Sequence, residues 1–307
     1  MDNIDVSIIL VNYKTSNLVN DVIASIKEHS QGFSYELIVV DNSEDDDEYK
    51  KLLENKDAKI INAKANLGFG KANNLGASFS KGKYLYFLNT DTLLMNNAIY
   101  ELKKFLDEYS NVSIVGSNIY TKENKPNHSF IPFEKNLKNE KKLYSFKVKF
   151  KTKILHKRID FNFKNKPIKI NGYVCGASLM MRKEDFDRID GFDKDIFMYA
   201  EESLLCYRTI NELNKEIYNV PSSKIIHFEG GSFKKKESYY QVKTVIDGNV
   251  IYYKKAFSNE TAIQYLNDKI KFYNRKKKRA ILTRNKNEEE RFNFYINACE
   301  NKLKELS

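Results

Sequence analysis

The sequence predicts an α/β protein, a mainly parallel sheet flanked by helices, with a basic helical appendage towards its C-terminal end. Three observations carry this. Apolar runs rich in β-branched residues recur every ~30 residues with helix-patterned segments between them, the signature of βαβ units. The runs are continuous rather than alternating, as strands buried on both faces are. After about residue 237 the glycines thin out and the chain reads as helices with basic runs, among them "RKKKR" at 275–279.

The elements follow in order. "VSIILVNY" (6–13) reads as a buried strand. In "SNLVNDVIASIKEHS", Leu18, Val22, Ile23 and Ile26 fall at helical spacing. "YELIVVDNS" is a second buried strand, ending in Asp41, and a charged helix and a short strand "AKIINA" come after it. "NLGFGKANNLGASFS" is a glycine-rich turn entering a helix, and "KYLYFLNTD" is the next strand. Further on, "SLMMR" is a strand, "DGFD" a tight turn, and "IYNVPSSKIIHFEGGSF" a strand with His227 at its end.

Strand ends carry the functional signal. The apolar run Tyr84 to Leu88 stops at Asn89-Thr90-Asp91-Thr92, with no glycine or proline to make an ordinary turn. One reading is a polar cap for the helix expected in "NNAIYELKKFLDEY". The other is a set of oxygen ligands delivered to the sheet edge, where a hard cation and a phosphorylated ligand would sit. Asn12-Tyr13 and Asp41-Asn42 end the preceding strands in the same way. A cap at one strand does not explain three.

Composition sets bounds. The chain has 307 residues, 41% of them hydrophobic, enough for one large domain or a domain plus an appendage, and its net charge is +11. That charge implies an anionic partner: a nucleotide, a nucleic acid or an anionic membrane surface. No RNA- or DNA-binding signature accompanies it, so nucleic acid is not expected as a partner. Cys175, Cys206 and Cys299 lie far apart with no CxxC spacing, which favours a reduced, cytoplasmic protein. No basic leader and no run of ~18 apolar residues suggests secretion or a membrane span. Residues 134–170 are dense in lysine, and "FKVKFKTKI" (146–154) alternates apolar and basic residues. It reads either as a lysine-guarded edge strand or as a basic flap over substrate or lipid.

Six stretches occur in one order: "VSIILVNYKTSNLVNDVIASI", "VVDNSEDD", "NLGFGKANNLG", "LNTDT", "CGASLMMRKEDFDRIDGFDKDIFMYAEESLLCYR" and "IIHFEGGS". Together they resemble the family 2 glycosyltransferases, inverting enzymes of the Rossmann-like GT-A fold, and especially their bacterial rhamnosyltransferase-like branch. The resemblance covers roughly residues 5–233. It divides the chain into a catalytic domain at 1–233, with 134–170 as a basic insertion, and a helical extension at 234–307 that no motif covers.

The resemblance implies a UDP- or dTDP-sugar donor and a glycan, glycoprotein or lipid-linked acceptor in cell-surface polysaccharide synthesis. It implies Mn²⁺ or Mg²⁺ at the donor diphosphate, held by Asp91 and His227, with Ser232 as a hydrogen-bond donor. Asn89 stands where the family motif has its first acid. Asp41 corresponds to the acceptor of a uracil or thymine N3–H, and Asn12 and Tyr13 would line the base pocket. Asn66, Gly68, Lys71, Asn74 and Thr90 would face the rest of the donor. Glu202 corresponds to the general base, with Glu201, Gly176 and Arg208 on the acceptor side. Leu204 replaces a later acid of the pattern, a departure that leaves a catalytically dead homologue as the alternative. A sugar-1-phosphate nucleotidyltransferase would need a glycine-rich basic signature near the N-terminus, and "VNYKTSN" lacks it. The basic helices, with Tyr252, Tyr253 and Phe257 beside Lys254 and Lys255, suit either an anionic membrane surface or self-association.

Overall fold

The computed structural model describes residues 4–143, 158–228 and 238–306. Its first strand, β1 (Val6–Asn12), is buried almost throughout, as its unbroken apolar run requires. Parallel partners lie on both sides, β2 (Tyr35–Asp41) and β4 (Tyr84–Leu88), and β3 (Lys59–Asn62) extends the sheet beyond β2. Helices α1 (Ser16–His29), α2 (Asp46–Leu53) and α3 (Phe69–Ser78) make the crossovers.

The second half of the sheet is mixed. Strand β10 (Ser178–Arg182) runs antiparallel between β4 and β6 (Val112–Tyr120). β11 (Glu216–His227) is parallel to β6, and β5 (Thr92–Leu94) lies antiparallel on β11. Short β8 (Ile168–Lys169) also pairs with β11, while β7 (Phe130–Ile131) and β9 (Tyr173–Val174) form a separate pair. The strand order is thus β3-β2-β1-β4-β10-β6-β11-β5.

Alternation along β1 sends Ile8 and Leu10 to one face and Ile9 to the other. On the first face they meet Val22 and Ile26 of α1 and Leu102 and Leu106 of α4 (Ala98–Glu108). On the second, Ile9 joins Ile38, Phe87, Leu179 and Phe192. Short helices α5 (Leu137–Leu143) and α6 (Lys183–Arg188) precede α7 (Glu201–Asn211). Three long helices close the chain: α8 (Tyr239–Ala256), α9 (Asn259–Leu282) and α10 (Lys286–Leu306). Ser238 and Gln241 form a reciprocal capping box at the start of α8, and the Ser258 hydroxyl accepts from Thr261 N–H at the start of α9.

These helices are packed onto the sheet domain. Ile196, Ala200 and Leu204 share one buried cluster with Val242, Ile246, Tyr253 and Leu266. Two sequence expectations change here. Tyr252 and Tyr253 are not an interfacial stripe, being 1% and 0% exposed, and Lys255 pairs with Asp193 and Asp195. Burying two aromatic rings against a core outweighs leaving them at a water interface. Asp91 is also not a helix cap, because α4 begins at Ala98 with Asn97 in the cap position and β5 intervenes. The alternating stretch 146–154 lies outside the described residues. Among the described residues no helix is long and apolar enough to cross a membrane.

Candidate active site

Parallel register aligns the strand ends. Asn12 is opposite Asp41 and Leu10 is opposite Leu88, so the polar residues that follow emerge on one edge of the sheet. Asp41 is almost fully buried there. Its Oδ1 accepts from Asn12 Nδ2 at 3.0 Å and from the Ser43 hydroxyl. Asn12 Oδ1 accepts from Thr15 N–H and Oγ1, both at 3.0 Å. The Asn12 side chain therefore orients Asp41 and the following turn, while Tyr13, 37% exposed, supplies an open ring.

Asn42, which the sequence reading left without a role, ties this edge to the glycine-rich turn. Its Oδ1 accepts from Leu67 N–H at 2.8 Å and its Nδ2 donates to Asn66 Oδ1 at 3.1 Å. Asn66 Oδ1 also accepts from Gly68 N–H, so it shapes the turn. Gly68 has φ +79°, and a Cβ there would sit 2.1 Å from the Phe197 carbonyl oxygen. Lys71 is exposed on the first turn of α3. Asn74 departs from expectation: its amide donates to Phe192 O at 2.8 Å and accepts from Phe192 N–H at 2.9 Å. Both ends are engaged in pinning α3 to the 192 segment, so Asn74 acts as a structural tie.

At the end of β4 the backbone turns on itself. Thr92 Oγ1 donates to Asn89 O at 2.6 Å, and Thr90 Oγ1 lies 3.2 Å from Thr15 Oγ1. β5 then pairs Thr92 with His227. That pairing brings His227 Nε2 to 3.1 Å from Asp91 Oδ1, both side chains 16% exposed. Among the described residues no group of three His, Cys, Asp or Glu forms a complete cation cage. An Asp–His pair with most coordination positions left for phosphate oxygens and water fits a nucleotide-bound Mn²⁺ or Mg²⁺. Gly230, Gly231 and Ser232 lie outside the described residues.

Across the edge stands the glutamate pair. Tyr199 (φ 71°) and Ala200 (φ 76°) are consecutive left-handed residues without the freedom of glycine, immediately before α7. Each such conformation costs of order 1–3 kcal/mol and persists only where packing enforces it. The enforcement is visible on both sides. Phe69 N–H donates to Phe197 O at 2.9 Å, and Gly248 of α8 lies so close that a Cβ would come 2.1 Å from Tyr199 O.

The turn gives the two carboxylates different surroundings, although both border the same cleft. Glu201 packs beside Gly70, is 6% exposed, and its Oε2 has no hydrogen-bond partner. Burial, reinforced by the charge of Glu202, pushes its carboxyl up to about 8. Glu202 instead faces Gly176, whose missing side chain leaves room beside it. Glu202, Gly176, Asn89 and His227 line one cleft of about 600 Å³, which Asn249 of α8 and Tyr273 of α9 help to close.

Leu204 is 1% exposed in the cluster shared with α8 and α9, so the position where the motif has an acid is here a contact with the C-terminal helices. Arg208 is not among the residues lining this cleft: its Nε donates to Glu212 at 3.0 Å near the far end of α7. An i,i+4 partner is reached without bending back over the helix start.

A mainly parallel sheet flanked by helices, with His227, Glu201 and Glu202 lining one cleft, has the fold of the GT-A glycosyltransferases. The sequence model of glycosyl transferase family 2 matches residues 7–189, and the chain belongs to that family. It is 26% identical over 245 residues to the low-salt glycan biosynthesis hexosyltransferase Agl10 of Haloferax volcanii, covering 78% of this chain and 72% of that one. It is also 26% identical over 235 residues to the rhamnosyltransferase WbbL of Escherichia coli K12, covering 67% and 84%. The solved structure of GalNAc-T7 with UDP, GalNAc and Mn²⁺ superposes with a TM-score of 0.58 at 15% identity. That match covers 81% of this chain and 48% of the solved one, and it speaks to the fold alone.

Proposed function

We propose that this glycosyltransferase moves a sugar from a UDP- or dTDP-sugar to a hydroxyl of a glycan, glycoprotein or lipid-linked acceptor, with inversion at the anomeric carbon. The observation that carries the reading is that Glu202 and His227 line one cleft at the sheet edge. Asp41, held by Asn12 and Ser43, accepts from the N3–H of the base, which selects uracil or thymine. Asn89 and Thr90 border the diphosphate. Asp91 and His227 would hold a divalent cation, which supplies charge neutralisation to the departing nucleotide diphosphate. Glu202 takes the proton from the attacking acceptor hydroxyl as it closes on the anomeric carbon from the side opposite the leaving group.

Two supports extend the reading to location. The net charge is +11, and Arg275, Lys278 and Arg279 of α9 are exposed. A cytoplasmic enzyme working at the anionic inner face of the cell membrane, on a lipid-linked acceptor, accounts for both.

The test is turnover of UDP-glucose, UDP-galactose, UDP-N-acetylglucosamine and dTDP-rhamnose with Mn²⁺ and with EDTA, followed by NMR of the product's anomeric configuration. Inverted product from a uracil or thymine donor, lost in EDTA, is expected. Retained configuration, or no response to EDTA, would sink the reading.

A further inference from the structure

We propose that Lys135, aimed by Tyr252 and acting through Ser203, is a positioning residue that makes Glu202 the charged member of the Glu201–Glu202 pair. The proposal rests on Glu202 being the base and deepens that reading.

Two adjacent carboxylates at a desolvated helix start are costly to ionise together, because each charge opposes the other in low dielectric. One of them has to take the proton. The local environments decide which. Glu201 is the more deeply buried, and its Oε2 is unpartnered. Glu202 has a route to a cation. Ser203 Oγ lies 3.5 Å from Glu202 Oε1, and Lys135 Nζ lies 3.4 Å from Ser203 Oγ. An ammonium only donates and a carboxylate only accepts, whereas a hydroxyl does both. With the Tyr173 hydroxyl also bonded to Ser203, the arrangement that serves Glu202 is the one in which Lys135 donates to Ser203 and Ser203 donates to Glu202. Both spans are at the long end for hydrogen bonds, so much of the coupling is electrostatic.

Lys135 is not placed as a surface lysine. Its Nζ lies 4.8 Å from the ring centre of Tyr252 and 5.7 Å from that of Tyr173. Its carbonyl oxygen accepts from Tyr252 OH at 2.8 Å. One tyrosine of α8 thus fixes the backbone of Lys135 and underlies its charge. Burial draws the Lys135 ammonium down from its ordinary value, and the charge of Glu202 opposes that fall.

Other titratable groups border the same cleft: His227 is turned to Asp91, Glu134 accepts from Asn136, and Cys175 and Tyr199 lie on its wall. Tyr173 is held well above its ordinary value and Cys206 is raised, both by burial first, so neither is charged near neutral pH. Glu140 and Lys269 pair with each other at 2.9 Å and largely cancel.

The test reads charge directly. Protein carrying ¹³C-carboxyl glutamate is titrated by NMR, and the Glu202 signal is identified by its loss in Glu202→Gln. In Lys135→Met the Glu202 midpoint should rise by about one pH unit, the scale of a lost opposite charge. Lys135→Arg should restore it, and Ser203→Ala should move it in the same direction as Lys135→Met. UDP affinity should be unchanged in all three. Coincident midpoints in the parent and Lys135→Met would overturn the proposal. If Lys135→Met loses its circular dichroism signature, Ser203→Ala carries the same comparison, and an unmoved midpoint there overturns it. Glu202→Gln that still turns over donor would sink the assignment of the base, a separate outcome.

Discussion

Asp91 and His227 are 136 residues apart in the chain and meet only because β5 folds back onto β11. Asp91→Ala removes the carboxylate of the pair. Calorimetry with UDP should show the Mn²⁺-dependent part of the affinity gone. Glu202→Gln keeps the shape and removes the basicity, so kcat should fall ~10²-fold or more with UDP affinity retained. Glu201→Gln should cost much less activity, and its signature is in stability. An acid raised from 4.5 to about 8 on folding contributes stability that is present below 4.5 and lost as pH rises towards 8. A glutamine has no such loss. The melting temperature of Glu201→Gln should therefore gain on the parent between pH 5 and pH 8, and parallel curves would show that Glu201 is charged throughout. Asp41 and Asp91 were legible as strand-end residues, and Glu202 as one of a pair at a helix start, because each sits in a motif with fixed spacing. Asn74, Arg208 and Lys135 were not, since what an amide, a guanidinium or an ammonium pairs with is decided by packing between distant segments.

At the scale of elements, the turn at Tyr199–Ala200 shows what local reading misses. Neither residue type predicts a left-handed backbone, and nothing nearby in sequence explains it. The cause lies in two glycines far along the chain, Gly68 and Gly248, which let a loop and a helix close on residues 197–199. Gly248→Ala would be neutral or helpful in an isolated helix. Here its Cβ has no room against the Tyr199 carbonyl, so the turn or α8 has to move. A loss of 1–3 kcal/mol by denaturant titration is expected, the usual scale of overpacking, with kcat falling further than UDP affinity. An unchanged kcat would show that α8 does not set the glutamate pair. The parallel strands were legible for the opposite reason: a strand buried on both faces carries its context within its own apolar run. Leu204 belongs between these cases, conspicuous in the sequence as a missing acid and explained by the helices that cover it.

For the whole molecule, charge and topology are the two quantities to argue from. If the basic run at 275–279 meets a membrane, co-sedimentation with anionic vesicles should fall steeply with salt and on charge reversal of Arg275 to Arg279. The contribution is ~1 kcal/mol for each basic residue near the surface. Equal recovery with neutral vesicles would remove the membrane from the reading. Topology was only half visible in the sequence, where β10 reads as another buried strand and its antiparallel entry between β4 and β6 leaves no local mark. That entry has a consequence for how the chain is made. Tyr86 of β4 and Ser178 of β10 bond to each other across 92 residues. As the polypeptide leaves the ribosome, β1 to β4 are complete while one edge of β4 still lacks its neighbour, and at 5–20 residues per second that interval lasts roughly five to twenty seconds. An apolar, unpaired edge held open that long is a template for another nascent chain. Trigger-type chaperones that shelter short apolar segments should therefore raise the soluble yield of this protein more than they raise its refolding from full-length chains.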